Sequence, residues 1–578
     1  MLHELAYTRR GEFQIDYGRE IEEEIVQVQN LIAGSPHLSQ AYPSRWLAIK
    51  LLENDEQIAA QIALLPGGPQ VLKAVKKNIS HLETLFGEDV DTLVADRRYG
   101  WINGLVRETT HTENTGKRQL SERIDDIVTN RLLGIPIFLL SMWLVFKITT
   151  DLSAPLLDWV TGVLDGPITR WAGALITLFG LSGTWVDSLL LDGVVAGVGG
   201  LMAFVPVLMA LYGALAILED SGYMARAAFV MDRFMHVLGL HGKSFLPLIV
   251  GFGCSVPGIF ATRTLENKKD RILTAMMVPF MSCGARLPVY VLIVGIFFAE
   301  KAGLMVFWMY FIGIAMAILT GLLLKNTLFR GKSESPFVLE LPPYRFPTLK
   351  AIWFHMWEHT SSFIKKAGSL ILLMSLVIWL LLAIPVNGNG RFADVDLPSS
   401  AYAAVSRVLA PALQPAGFGS WQTTGALISG VAAKEVIVTS LTQVYGMDVP
   451  REEVAQTTFV EDVSGIVSGF SQSLWDMVVA VPGMVGIRFG EPETATPETA
   501  LAPAVRAGFE QASGGHADLA AFAFMVFILT YTPCMATLAA LRKELGTRWM
   551  LLSAIGQLVS AWLLAVIAFQ GGILLGLG

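Results

Sequence analysis

Residues 251–290 read GFGCSVPGIFATRTLENKKDRILTAMMVPFMSCGARLPVY and decide the fold class of this chain. It contains two apolar passages, each interrupted by a Cys, a Pro and small residues, with a charged connector over 263–271 between them. Backbone groups that Gly and Pro free at membrane depth are tolerated only inside protein or beside a water-filled cavity. Paired broken apolar segments point to the binding site of a transporter. The segment therefore predicts a transporter or channel with a polar pathway at these interruptions.

The composition indicates a polytopic membrane protein. Of the 578 residues, 53% are hydrophobic and 16% are charged, and the mean hydropathy is +0.53. Soluble domains carry about a quarter charged residues. The net charge of -7, without a basic run that interleaves aromatic residues, argues against binding to nucleic acid. The charged amino terminus lacks the apolar core of a signal peptide.

The chain contains three cysteines, and all of them lie in apolar stretches with Gly or Pro close by: Cys254, Cys283 and Cys534. An odd number of cysteines cannot all pair within one chain. Most free cysteines are small buried hydrophobic residues, which is the simpler interpretation. The occurrence of all three in broken membrane segments favours a shared role in a pathway.

Four regions are predicted along the chain. Residues 1–130 form a small cytosolic helical domain and a connector, because Ile21, Ile25, Val28 and Leu31 recur at helical spacing. Two membrane halves cover 131–330 and 421–578, and 331–420 holds a cytosolic loop, a span and an external loop. The positive-inside rule places the amino terminus in the cytoplasm, because basic residues precede the first span: Lys117, Arg118, Arg123 and Arg131.

Hydropathy predicts the spans more finely. Crossing a bilayer takes about 20 residues, and the apolar runs long enough to cross are 132–149, 189–218, 272–298, 303–324, 367–385 and 549–577. External loops are predicted at 150–188, which carries several aspartates, and at 387–420. A basic cytosolic loop is predicted at 325–366, and an insertion at 447–518.

A short sequence similarity relates the two halves. Cys254 is followed by Ala, Thr and Arg before a long span, and Cys534 is followed by the same residue types before another. Corresponding broken segments in two halves are typical of a repeat-built transporter. Residues 244–262, residues 519–540 or both are expected to enter and leave the membrane on one side.

The ordered motifs in this chain resemble those of bacterial ferrous iron transport protein B, FeoB. They cover much of 130–578 and read LEDSGYMARAAFVMDR, GFGCSVPGIFATRTLENKKDR, PFMSCGARLPVY, SGVAAKEVIV and TPCMATLAALRKE. The resemblance implies an all-α, polytopic helical membrane protein with two Gate-like repeats that contain broken or re-entrant helices. It also implies a small cytosolic helical domain at the amino terminus.

The chain departs from the family pattern in two places. Ser255 stands where the family has Asn in GCNVPA, which puts a ligand role at this position in doubt. The family also begins with a GTP-binding domain, and no GxxxxGK[ST] motif occurs here. GTP is therefore expected only through a missing or separate G domain, and the chain is either the product of a split gene or a fragment of a longer protein.

The resemblance further implies transport of ferrous iron, Fe2+, into the cytoplasm across the bacterial inner (cytoplasmic) membrane. The implied partners are the lipid bilayer, a separate or deleted GTPase, a small cytosolic Feo-type protein and a second copy of the chain in a homo-oligomer. No catalytic or cofactor-binding residue and no enzyme activity are predicted.

Side chains that could contact Fe2+ follow from its chemistry. Thiolate, imidazole and carboxylate all suit this cation, but none of the nine histidines falls in the middle of a predicted span. The predicted metal contacts are Cys254, Cys283, Cys534, Ser282 and Glu435, and partial coordination is expected because a transport site must release its ion. Alternatives are that Glu435 belongs to a structural ion pair and that Arg286 is the buried partner of Glu435 or Asp220.

Other functions remain open on the sequence. The Gate architecture resembles that of nucleoside carriers, so a nucleoside-type permease is one alternative, and a permease for another divalent cation is a second. A polytopic membrane enzyme and a regulatory subunit without transport activity are further ones. Sulfur at the breaks favours a metal over a nucleoside, which would call for an aromatic platform and amide donors.

Overall fold

The computed structural model of this chain describes residues 15–86, 89–109, 120–130, 132–329, 342–386, 390–445, 458–484 and 498–576. Within these ranges the chain is helical, and only two isolated bridges, Pro385 with Ser400 and Arg391 with Asp394, have β geometry. This confirms the all-α prediction. The chain forms two units, residues 1–117 and 118–578, and the division between them falls in the predicted connector.

The first unit is a bundle of short helices around its own apolar core. Ile21, Ile25, Val28 and Ile32 are buried along one face, because a spacing of three or four residues returns a side chain to the same side of a helix. Leu31, which was predicted to share that face, is 45% exposed, and Ile32 takes its place. The helices are α1 (Arg19–Ala33), α2 (Pro36–Ala41), α3 (Ser44–Leu52), α4 (Glu56–Ala63), α5 (Gly68–Phe86) and α6 (Val90–Thr109).

The second unit contains the membrane helices and the connections between them. Its α-helices are α7 (Leu120–Val128), α8 (Gly134–Lys147), α9 (Ala154–Val163), α10 (Thr169–Leu178), α11 (Trp185–Ser188), α12 (Ala196–Asp220), α13 (Tyr223–Val237), α14 (Phe245–Gly253), α15 (Ser255–Ala261), α16 (Lys268–Met277), α17 (Leu287–Phe297), α18 (Ala302–Thr327), α19 (Leu349–Ala383), α20 (Ala401–Leu413), α21 (Trp421–Ala432), α22 (Val436–Tyr445), α23 (Phe459–Met484), α24 (Glu498–Ser513), α25 (Ala517–Thr530), α26 (Met535–Leu545) and α27 (Thr547–Leu574).

Seven helices among the described residues are long and apolar enough to cross a membrane. A further pair, Tyr223–Val237 and Gly242–Gly253, is bent by 102° at its break and forms either a broken span or a re-entrant loop. The polytopic prediction is therefore confirmed. The seven are Gly134–Leu178, Trp185–Asp220, Lys268–Phe297, Ala299–Thr327, Leu349–Ala383, Ala517–Leu545 and Thr547–Leu574.

The predicted external loop at 150–188 is wrong over most of its length. Helix α8 continues through a π-helical turn, Ile148–Leu152, into α9 and onward to Leu178. The helix continues past Asp151, which pairs with Lys147 one turn away at 2.6 Å. Charge alone was therefore a poor indicator of a loop here.

Three other predicted connections also contain helices. Helix α19 begins at Leu349 instead of 367, since the Thr348 side chain accepts a hydrogen bond from the Ala351 backbone N–H and caps its first turn. Helix α20 lies in the predicted external loop, and α23 and α24 lie in the predicted insertion. The central part of the basic loop, 330–341, and parts of the insertion, 446–457 and 485–497, lie outside the described residues.

The broken helix formed by α25 and α26 lies deepest in the second unit. In its most apolar window 78% of the residues are buried, the highest share among the seven spanning helices of the described chain. Phe418 packs edge-on against Phe524 and Phe527 of α25 with ring centroids 5.3 and 5.6 Å apart. Glu544, near the end of α26, accepts hydrogen bonds from Arg263 and Arg271 and so joins α26 to the charged connector.

Candidate functional site

Four breaks in the helices of the second unit carry the candidate residues. They lie at Cys254 between α14 and α15, at 281–283 before α17, at 433–435 between α21 and α22, and at 531–534 between α25 and α26. Pro533 has no N–H to donate and disfavours helical geometry at the residue before it. The last break is therefore dictated locally, by the sequence YTPC.

The order of the breaks gives two repeats. Each half of the unit has a first broken helix with one extended residue at the break: Cys254 (φ −152°, ψ 131°) and Ala433 (φ −153°, ψ 139°). A second broken helix follows in each half, with an extended Cys just before its outgoing segment: Cys283 (φ −75°, ψ 159°) and Cys534 (φ −61°, ψ 157°). By this order Cys534 occupies the position of Cys283 in the repeat, and not that of Cys254, which the short sequence similarity suggested.

All three cysteines therefore occupy the same kind of position. Each is the residue immediately before a helical segment, where the chain leaves an extended conformation. The N-terminal end of a helix favours negative charge and leaves backbone N–H groups without helical partners. Such a position suits a thiolate that contacts a cation.

The thiols of Cys254, Cys283 and Cys534 are brought close enough to interact electrostatically with one another, and the Glu435 carboxylate interacts with the first two. Helix α15, which follows Cys254, packs against α26, which follows Cys534. The cysteines are free and partly buried. Within the part of the chain that the structure describes, no three His, Cys, Asp or Glu side chains stand close enough to hold a metal ion as a cage.

Two hydroxyl groups next to the cysteines have partners within the protein. Ser282 is 1% exposed and donates a hydrogen bond to the Tyr290 hydroxyl at 3.3 Å. The Cys534 Sγ lies 3.2 Å from the Thr537 hydroxyl in the first turn of α26. The hydroxyl of Ser282 contacts Tyr290, and that of Thr537 contacts the Cys534 thiol.

The charged residues at the breaks do not pair in the predicted way. Glu435 is partly exposed at its break and forms no ion pair with any described residue. Its neighbour Lys434, 3% exposed, donates instead to the Thr532 carbonyl at 2.6 Å and lies 3.1 Å from the centroid of the Tyr531 ring. The ion-pair alternative for Glu435 is therefore wrong for this conformation.

Arg286 does not bind a carboxylate, contrary to the alternative given above. Its guanidinium donates to the carbonyls of Met281 and Pro279 at 3.1 and 3.2 Å, and the residue is 2% exposed. Neither Glu435 nor Asp220 forms an ion pair with it in the described chain. Arg286 instead satisfies carbonyls that the break at 281–283 removes from the helix.

Sequence reasoning missed the tyrosines that surround the thiols. Tyr531 interacts electrostatically with Cys283 and Cys534, and Tyr212 interacts with Cys254. The imidazole of His359 stacks on the Tyr212 ring with centroids 5.2 Å apart. The position of Tyr531 in YTPC was a signal that could have identified it, whereas Tyr212 lies far from any cysteine in sequence.

Comparison with known families gives three matches along this chain. A model described as FeoB cytosolic helical domain matches residues 17–111. A model described as Nucleoside recognition, named Gate, matches 201–297 and 364–548. A model described as Ferrous iron transport protein B C terminus matches 306–359. No solved structure matches the chain significantly.

Curated relatives match over nearly the whole chain. The Fe(2+) transporter FeoB of Staphylococcus aureus (strain MSSA476) is 35% identical over 584 residues, which are 99% of this chain and 77% of the relative. The Fe(2+) transport protein A/Fe(2+) transporter FeoB fusion protein of Porphyromonas gingivalis is 35% identical over 596 residues. That match covers 97% of this chain, and the chain spans 65% of the length of the fusion protein.

Proposed function

This chain belongs to the FeoB family of Fe(2+) transporters, and from that premise we propose that it forms the membrane pathway through which ferrous iron enters the cytoplasm. The proposed location is the bacterial inner membrane, with the amino terminus in the cytoplasm. A transporter needs no catalytic residue of its own, and we propose none for this chain.

The observation that carries the proposal is the arrangement of the three thiols. Cys254, Cys283 and Cys534 each precede a helical segment at a break. The packing of α15, after Cys254, against α26, after Cys534, and the electrostatic interaction among the three thiols support breaks that face a common region. Thiolate sulfur binds Fe2+ better than it binds hard cations such as Mg2+ or Ca2+. These sulfurs would therefore replace part of the hydration shell of the passing ion.

Glu435 and Ser282 complete the proposed contacts. The carboxylate of Glu435 interacts electrostatically with Cys254 and Cys283, and it forms no ion pair in the described chain. It would supply negative charge to a divalent cation at a place where burial of that cation is costly. The donors are too dispersed for a closed cage, which suits rapid release of the ion.

Coupling to GTP belongs to the same proposal. We place the GTPase outside these residues, either in a separate protein or in a longer form of this one. The P. gingivalis relative is a fusion with an Fe(2+) transport protein A, which supports a small cytosolic Feo-type protein as a partner here. A homo-oligomer is part of the proposal on family grounds alone.

Iron flux into vesicles tests the pathway. Purified chain in anaerobic proteoliposomes is assayed by Fe2+ quenching of an enclosed fluorescent chelator, with and without added GTPase. We expect the triple Cys254→Ser, Cys283→Ser, Cys534→Ser variant to lose at least about tenfold in rate, which corresponds to about 1.4 kcal/mol of barrier. The buried Ser406→Ala, outside the site, is the control. Parental flux in the triple variant would refute the pathway.

A nucleoside permease is the second candidate, because the Gate model is described as Nucleoside recognition. The same vesicles decide between the two substrates. Uridine uptake that the cysteine substitutions leave unchanged, together with absent Fe2+ flux, would favour the nucleoside. Competition by Mn2+ and Zn2+ measures how far the pathway separates Fe2+ from other divalent cations.

A further inference from the structure

Two buried basic side chains satisfy the backbone at the two breaks that carry Cys283 and Cys534. Arg286 donates to the carbonyls of Pro279 and Met281, which precede Cys283. Lys434 donates to the carbonyl of Thr532, two residues before Cys534. Both side chains are almost completely enclosed, with exposures of 2% and 3%.

The arrangement is unusual because neither base has an acidic partner within ion-pair distance among the described residues. A buried Lys or Arg normally pairs with a carboxylate. Here the acceptors are backbone oxygens that the breaks have removed from helical hydrogen bonding. Leaving such an oxygen unpaired in a buried site costs about 1–3 kcal/mol, so each base stabilises the extended conformation of its break.

Lys434 joins two separate elements. It lies in the break between α21 and α22, and its acceptor lies in the break between α25 and α26, 98 residues away in sequence. The Tyr531 ring, 2% exposed, holds the amine from the other side at 3.1 Å from the ring centroid. The position of the Cys534 backbone is thus tied to the break that carries Glu435.

We propose that Lys434 and Arg286 are positioning residues of the metal pathway: each fixes the extended break on which Cys534 or Cys283 stands. A second consequence concerns specificity. The carbonyls of Thr532, Pro279 and Met281 are hard oxygen ligands, and the basic groups withdraw them from passing ions, which leaves sulfur as the available donor. This inference rests on the proposed function for the identity of the ion, but the placement of the thiols can be tested without it.

Thiol labelling is the direct test of positioning. Two full-length single-cysteine proteins, one retaining Cys534 and one retaining Cys254, are reconstituted and labelled with a membrane-permeant maleimide. Lys434→Met should change the labelling rate of Cys534 about fivefold, the equivalent of one hydrogen bond of about 1 kcal/mol. The rate at Cys254 should stay within about twofold, because the hydrogen bond of Lys434 goes to Thr532 and not to the break at Cys254. Lys434→Arg, which keeps a donor, should bring Cys534 back toward the parental rate.

Lys325→Met is the matched control, because Lys325 also donates to a backbone carbonyl, that of Val237 at 3.4 Å, but at the bend between α13 and α14, which carries no cysteine. It should leave both labelling rates unchanged. An unchanged Cys534 rate in Lys434→Met would overturn the proposal, and so would an equal change at both cysteines, which indicates a general loss of structure.

Ion selectivity is the second readout, in the protein with all three cysteines. Exposure of the Thr532 carbonyl in Lys434→Met should lower the ratio of Fe2+ to Mg2+ flux, by about fivefold on the same estimate of one hydrogen bond. A ratio equal to the parental one would refute the specificity argument. Failure of the pathway itself is read separately, from the Fe2+ flux of the triple cysteine variant.

Discussion

Replacing Arg226 by methionine should destabilise the second unit strongly. Arg226 is 1% exposed, and its guanidinium binds the Asp125 carboxylate through Nε at 2.9 Å and Nη2 at 3.1 Å. It also donates to the Gly222 carbonyl at 3.0 Å and to the Pro342 carbonyl, and it lies 4.2 Å from the centroid of the Tyr344 ring. One side chain therefore joins α7, the start of α13 and the segment before α19.

The magnitude follows from what the substitution leaves behind. Removing one member of a buried ion pair costs about 3–5 kcal/mol, because the other charge remains without a partner. Asp125 keeps 23% of its side chain exposed, so water can solvate part of the carboxylate and the lower limit applies. We expect a loss of about 3 kcal/mol, or roughly a hundredfold in the folding equilibrium.

Reversible unfolding in mixed detergent and SDS micelles, followed by tryptophan fluorescence, measures this free energy. A double-mutant cycle with Asp125→Asn isolates the pair, and the coupling energy should exceed about 1 kcal/mol. Arg233→Met is the control on the same helix, since Arg233 is exposed and should change stability by no more than about 0.5 kcal/mol. The reasoning would be refuted if the loss of unfolding free energy in Arg226→Met lay within the error of that control, or if the coupling energy were near zero.

Two further predictions concern close packing and pH. Gly430→Ala should lower the free energy of unfolding by about 1–3 kcal/mol in thermal unfolding and reduce Fe2+ flux, because a Cβ would lie 2.4 Å from the Tyr531 hydroxyl. Gly465→Ala is the control, since a Cβ there would meet nothing within 4 Å. Equal melting temperatures of the two variants would contradict this prediction. In the first unit, the hydrogen bond from Arg45 lowers the pKa of Glu22. Its stabilising contribution is therefore present above the unfolded pKa of about 4.3 and is lost as the pH falls through the lower folded pKa. Glu22→Gln should flatten the acid side of the pH–stability profile, and parallel profiles of variant and parent would contradict the assignment.

Features that depend on neighbouring residues could be predicted. The interruptions at Cys254, Cys283 and Cys534 follow from Gly and Pro in the same few residues, and the structure breaks its helices there. The membrane character follows from composition, since long apolar helices are required to cross a bilayer. The start of α19 at Leu349 was also encoded locally, by the Thr348 cap, but the basic residues around it were interpreted as a loop.

Features that depend on distant residues could not be predicted. The sequence places Lys434 next to Glu435 but does not show what Lys434 binds, and its acceptor is the Thr532 carbonyl, 98 residues away. Arg286 was expected to bind a carboxylate and binds two carbonyls instead. The tyrosine that lies beside Cys254, Tyr212, comes from a helix that no motif connects to it.

The amino-acid sequence thus specified that the chain is helical, that it enters the membrane and that its helices break at the three cysteines, because each of these properties is set by residues within one or two helical turns. Folding in three dimensions selected the partners of the buried charges and the correspondence of Cys534 with Cys283. The physical reason is that a buried donor binds whichever acceptor packing brings within about 3 Å. At a helix break, the nearest unpaired acceptors are backbone carbonyls, and only the packing of the broken helices decides which of them a distant lysine reaches.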